Sequence, residues 1–268
     1  MNTIFPLAIL TLKEGLRHRM LHGIAILALL MTGASTLIPS LFMYDLGKVA
    51  IDIGLSTITM SGMLIIFFLA INIIGKDLDK KTIYMVLATS TSRAQYILGK
   101  FLGVCLLLLA SFLFLSCLLF VTVCVLNATL PHNVIANFSW TTLLYAQLFL
   151  FLELVLIASV VFFFMSFCSS FYIALILSGS IYLIGTGIES VQLALAAKEI
   201  KTSAGLSALM QWIKWIFPNL SAFDLKTLAA YGLPVHHETL ALTFAYWFFY
   251  TTLLLLCTIF FFNRRELS

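Results

Sequence analysis

TTLLYAQLFLFLELVLIASVVFFFMSFCSSFYIALILSGSIYLIGTGI, residues 141–188, carries a single charge, Glu153. At about 1.5 Å per residue, one helix of that length would run to roughly 70 Å, more than twice the ~30 Å of a bilayer's hydrocarbon core. The chain must therefore reverse, and the polar run Cys168-Ser169-Ser170 is the place for it. Two crossing helices follow, at about 141–167 and 171–190.

The rest of the chain reads the same way. Of its 268 residues, 62% are hydrophobic and 10% charged, with a mean hydropathy of +1.10. A soluble domain clothes its surface with about 25% charged residues, so the composition excludes a soluble globular protein. Apolar runs predict further spans at about 21–43, 53–74, 99–126 and 240–262, six in all. Little chain remains outside them. A compact nucleotide-hydrolysing domain would need upwards of about 100 residues, so any energy source is expected to come from elsewhere.

The net charge of +4 matters less here than where the lysines and arginines fall. With the N-terminus inside, Lys13, Arg17, Arg19, Lys76, Lys80, Lys81, Arg93, Lys100, Arg264 and Arg265 are cytoplasmic. Lys48, Lys198, Lys201, Lys214 and Lys226 are then outside, and four of these share one long loop, where charge constrains orientation weakly. Both termini are expected to be cytoplasmic. Charges follow the first apolar stretch instead of preceding it, unlike a cleavable signal peptide.

Three segments outside the spans carry structure of their own. In residues 1–20, Phe5, Ile9, Leu12, Leu16 and Met20 recur at helical spacing opposite Lys13 and Arg17, which predicts an amphipathic helix in the inner interface. Between spans two and three, Asp77 and Lys81 stand four apart, acid first, which predicts a short cytoplasmic helix over 76–87. Ser92 and Gln95 then form a capping box that starts the next helix. The long loop 191–239 is expected to be structured. Its stretch LSALMQWIKWIFP, with Trp212 and Trp215, predicts short helices lying in the outer interface or re-entering from it.

Enzyme motifs are missing from the sequence. There is no HExxH, no GxSxG and no GxxxxGK[ST]; Gly99-Lys100 runs on into Phe101. The five cysteines include no CxxC pair and sit in or beside apolar runs, so no metal site is expected. Glu153 is the ionisable residue near the middle of a span, where a charge costs roughly 2.5–3.5 kcal/mol. Two readings stay open for it: a substrate or proton contact in a pathway, or a hydrogen-bonded acid holding two helices together. Gly54, Ser61, Gly179, Gly185 and Gly187 read as packing positions. Asn127, Asn137 and Asn219 head sequon patterns for which chance suffices.

The stretch GKDLDKKTIYMVLATSTSRAQYILGKFLG resembles the segment between the second and third spans of ABC-2 type transporter permeases, on Asp79, Thr82, Ser92, Arg93, Tyr96, Leu98, Gly99 and Lys100. FPNLSAFDLK, residues 217–226, is similar to that family's outer loop before the last span. Thr91 stands where the family often has proline, and Asp79 where it often has glutamate. The resemblance implies a non-catalytic permease subunit of a bacterial inner-membrane ABC exporter. It would pair with a second copy of itself and with two cytoplasmic ABC ATPase subunits that bind ATP and Mg. It further implies that the helix 76–87 is the coupling helix, with Lys76, Asp77, Asp79, Lys80, Lys81 and Thr82 facing the ATPase and Arg93 at the following turn. Membrane lipid and a periplasmic accessory protein are compatible partners, and nucleic acid is not expected. The alternative from another class is an ion-coupled carrier or channel without an ATPase.

Overall fold

The computed structural model describes residues 3–41, 46–73, 75, 92–129, 139–168, 170–196 and 217–264. Within these residues the chain is all-helical: α1 (Ile4–Arg17), α2 (Arg19–Leu41), α3 (Leu46–Leu64), α4 (Arg93–Thr129), α5 (Trp140–Phe167), α6 (Phe171–Ala196), α7 (Lys226–Tyr231) and α8 (His237–Arg264). A π-helical turn, Ile65–Ala70, prolongs α3, and a 3-10 turn, Ser221–Phe223, precedes α7.

Five stretches are long and apolar enough to cross a membrane: Gly47–Ile73, Arg93–Ala128, Trp140–Phe167, Phe171–Glu189 and His237–Arg264. By helix length and hydropathy this is a multi-pass membrane protein. The stretch expected as a first span falls in α2, whose apolar part Arg19–Ala34 is shorter than the other five. Cys168 ends α5 in extended conformation and Phe171 starts α6, so the chain turns at the polar run that length alone required.

Helix α5 is apolar on every side, the mark of a helix surrounded by protein. In its most apolar window 83% of residues are buried, against 11% in α8. Helices α4, α6 and α8 pack around it. Edge-to-face rings of Phe101 and Phe162, 5.3 Å apart, and tilted rings of Phe112 and Phe151, 5.2 Å apart, lock α4 to α5. Leu183 on α6 and Leu242 and Phe249 on α8 point outward, as lipid-facing side chains do.

Helix α1 departs from its sequence reading in two ways. It stops at Arg17 because His18 is extended (φ −74°, ψ 128°), so Met20 belongs to α2. The face it docks is also not the large apolar stripe. Phe5 and Leu16 stay exposed, while Leu7, Ala8, Thr11 and Gly15 are buried against α4. Glycine on α4 permits this: a Cβ on Gly103 would lie 2.5 Å from the Thr11 Cβ and 2.8 Å from the Ala8 carbonyl oxygen. Two backbones approach through small residues; of the bulky stripe, Leu12 packs against the core and Phe5 and Leu16 face outward.

The loop before α8 re-enters the bundle. Leu220 N–H donates to the Gly185 carbonyl at 3.2 Å, Ser221 Oγ to the Thr186 carbonyl at 2.9 Å, and Asn219 N–H to Tyr246 Oη at 3.1 Å. Leu220, Phe223 and Ala229 are buried, which is the apolar gain that draws a loop inward. At the bundle's rim, Lys48 Nζ lies 4.8 Å from the centre of the Tyr231 ring. Gly232, at φ 62°, ends α7 in the left-handed conformation that glycine adopts freely. The sequence had pointed to the tryptophan-rich stretch for such an insertion. Trp212 and Trp215 lie outside the described residues, and the re-entry seen here is made by the chain that follows them.

Candidate functional site

Two places gather polar side chains. The first is a joint at the start of α4. Gln95 N–H donates to Ser92 Oγ at 3.2 Å, and Ser92 N–H donates to Gln95 Oε1 at 3.0 Å, which is the reciprocal capping box read from sequence. Thr3 Oγ1 donates to the same Gln95 oxygen at 3.2 Å, tying the start of α1 to the cap. Arg93 Nη1 donates to the carbonyls of Phe262 at 3.3 Å and Asn263 at 3.0 Å. A guanidinium at these carbonyls meets the negative end of the α8 dipole. Tyr96 stacks on Phe262 with ring centres 6.1 Å apart.

One turn further on, Lys100 is buried between α4 and α1 with its Nζ 3.8 Å from Glu14 Oε2. Gly99 leaves room for Leu7, whose Cβ a side chain there would meet at 2.8 Å. Of the coupling residues expected from sequence, Arg93 belongs to this joint. Lys76, Asp77, Asp79, Lys80, Lys81 and Thr82, with the whole helix 76–87, lie outside the described residues.

The second place is a cavity of about 280 Å³ between α3, α5, α6 and the re-entrant segment. Glu153 forms its wall on α5 and is 6% exposed. Among the described residues no hydrogen bond or ion pair engages its carboxylate. Across from it, α6 contributes Tyr182, Thr186 and Glu189, and the re-entrant segment contributes Ser221, Asp224, Lys226 and Thr227. Tyr231 sits beside Lys48 while Asp224 shares the cavity with Thr59. The insertion therefore descends about 16 Å along α3 at 1.5 Å per residue.

This geometry revises the sequence reading of Glu153. No second ionisable group stood near the middle of a span in the sequence, yet Asp224, Lys226 and Glu189, the last at the end of its span, reach the cavity. The first two arrive on the re-entrant loop, outside any span. The helix-clamping reading has no hydrogen bond to support it among the described residues. Of the glycines read as packing positions, Gly54 meets Leu119 and Gly185 meets the re-entrant backbone, whereas a Cβ at Gly179 or Gly187 would find open space. Asn219 is half-buried, with its side-chain oxygen shielded from solvent. No three His, Cys, Asp or Glu among the described residues converge to hold a metal.

Comparison of the chain with known protein families finds no match, and comparison with curated proteins finds none either.

Proposed function

We propose that the chain is the transmembrane subunit of a bacterial ABC exporter of the ABC-2 type, crossing the inner membrane six times with both termini cytoplasmic. It works as a homodimer seated on two ATPase subunits, and a periplasmic accessory protein is a compatible further partner. One observation carries this reading: Ser92, Arg93, Tyr96, Gly99 and Lys100, on which the resemblance rests, converge on one joint. There the start of α4 is capped, tied to the end of α8 and seated against α1. A push arriving through the segment just before Ser92 reaches three helices at once. Arg93 sits at this joint and Arg264 ends the helix tied to it, which supports a cytoplasmic face there.

Co-purification with the candidate ATPase tests the proposal. Reversing the charges of Lys80 and Lys81 is expected to weaken the complex and lower its ATP turnover. If both stay at wild-type levels, the coupling role of 76–87 is wrong.

The cavity favours a second reading, an ion-coupled carrier or channel, because Glu153 shares a polar space with other ionisable groups. Transport in ATP-free liposomes driven by an ion gradient and abolished by Glu153→Gln would favour it over the exporter.

A further inference from the structure

The hydroxyls around Glu153 have their protons committed elsewhere. Thr59 Oγ1 donates to the Leu55 carbonyl at 3.0 Å, Thr186 Oγ1 to the Tyr182 carbonyl at 3.0 Å, and Ser221 Oγ to the Thr186 carbonyl at 2.9 Å. A hydroxyl has one proton and two lone pairs, so each of these three groups presents only acceptor capacity to the cavity. Three carboxylates, on Glu153, Glu189 and Asp224, add further acceptors, against one ammonium, on Lys226. Tyr182 and Thr227 can turn either way. The wall is thus rich in acceptors and carries an excess of acid over base.

Glu153 is the decisive member. It is buried, it lines the space, and among the described residues no hydrogen bond and no close ion pair engages its carboxylate, which the Lys226 ammonium on the same wall attracts only from a distance. A buried carboxylate left in that state is costly unless something occupies the space beside it. A metal ion would need ligands converging on one point, and these carboxylates do not converge. A molecule with N–H donors spread along its length can reach separated acceptors one by one, and about 280 Å³ is many times the space one water needs.

We infer that the cavity at Glu153 is a binding site for an organic ammonium cation bearing several N–H donors. Glu153 takes the ammonium at the closed end, and Asp224 and Glu189, both exposed, draw the cation in. The hydroxyl oxygens of Thr59, Thr186 and Ser221 accept its remaining protons. This inference rests on the cavity alone and does not require the exporter reading.

Calorimetric titration of the detergent-purified full chain with putrescine, a linear diamine, tests it. The diol of the same carbon chain serves as neutral control and calcium chloride as metal control. Saturable binding of the diamine is expected, with no binding of the diol. Glu153→Gln should weaken binding by about tenfold or more, the loss of a charge-assisted hydrogen bond. Asp224→Asn, at an exposed position, should weaken it by a smaller factor and serves as the deciding variant if the first fails to fold. No saturable heat with the diamine at millimolar concentrations, equal binding by wild type and the folded variants, or binding of calcium in place of the diamine would each overturn the assignment. The assay contains no ATPase and measures no transport, so its failure leaves the exporter proposal standing, and failure of that proposal leaves this one.

Discussion

Arg93, the first residue of α4, reaches the carbonyl of Asn263 in the last turn of α8, 3.0 Å from Nη1. A residue far away in sequence thereby caps the end of α8. The last carbonyls of a helix have no partner within it, and here a side chain from another helix supplies one.

Arg93→Ala is expected to loosen the end of α8. Hydrogen–deuterium exchange should speed up over its last turn, with a stability loss of about 1–3 kcal/mol for hydrogen bonds to a charged donor. Arg93→Lys keeps the charge and loses the fork, so it should recover part of the protection. Unchanged exchange in the alanine variant would mean that the contact carries no weight.

Gly103→Val should unseat α1. The added side chain meets the Ala8 carbonyl and the Thr11 Cβ, backbone and branched carbon that cannot simply swing aside. Overpacking of this kind costs about 1–3 kcal/mol. Trypsin cleavage after Lys13 and Arg17 reports the undocking and should accelerate, whereas the same substitution at Gly23, with open space around it, should leave cleavage as it is.

For the pair of Glu14 and Lys100, the effect of Glu14→Gln is expected to be small. Lys100 is buried, but the Glu14 side chain is 39% exposed, so solvent screens the attraction. Thermal unfolding should report a loss of about 1 kcal/mol or less. A loss several times larger would show that the pair is shielded from solvent.

Gly185→Val should expel the re-entrant segment, because its Cβ would stand 2.6 Å from the Pro218 carbonyl oxygen. A cysteine introduced at Ser221 gives the readout. It should react slowly with a membrane-impermeant thiol reagent in the parent and faster in the Gly185→Val background. Equal rates would place the segment outside the bundle.

Glu153→Gln is predicted to raise the unfolding temperature in the absence of any ligand. An ionised carboxylate in mid-helix costs roughly 2.5–3.5 kcal/mol, and a neutral amide of the same shape removes most of that cost. Sites that hold such a group commonly sacrifice stability for function. A drop in unfolding temperature would point to a structural role for the acid.

What the sequence made legible is local or set by length. The reversal at Cys168 follows from a distance the chain cannot exceed. The cap of α4 follows from Ser92 and Gln95 three positions apart. The cavity was not legible, because its members come from α3, α5, α6 and a loop, and no periodicity links them. Asp224 and Lys226 look like ordinary loop charges. The signal beside them is Leu220, Phe223 and Ala229, apolar residues that a loop bathed in solvent would not retain. Lys100 misleads in the opposite direction. In sequence it closes a charged connection, yet Gly99 and Gly103 on either side bring α1 close enough to bury it.

With its neighbours closed around it, α5 behaves as a solid post. The recess at Glu153 is an alcove in the side of that post, closed by α3, α6 and the re-entrant segment. Leu183 on the α6 flank and Leu242 and Phe249 on the α8 flank form the outer face, so lipid or any second surface meets the bundle there before it reaches the post.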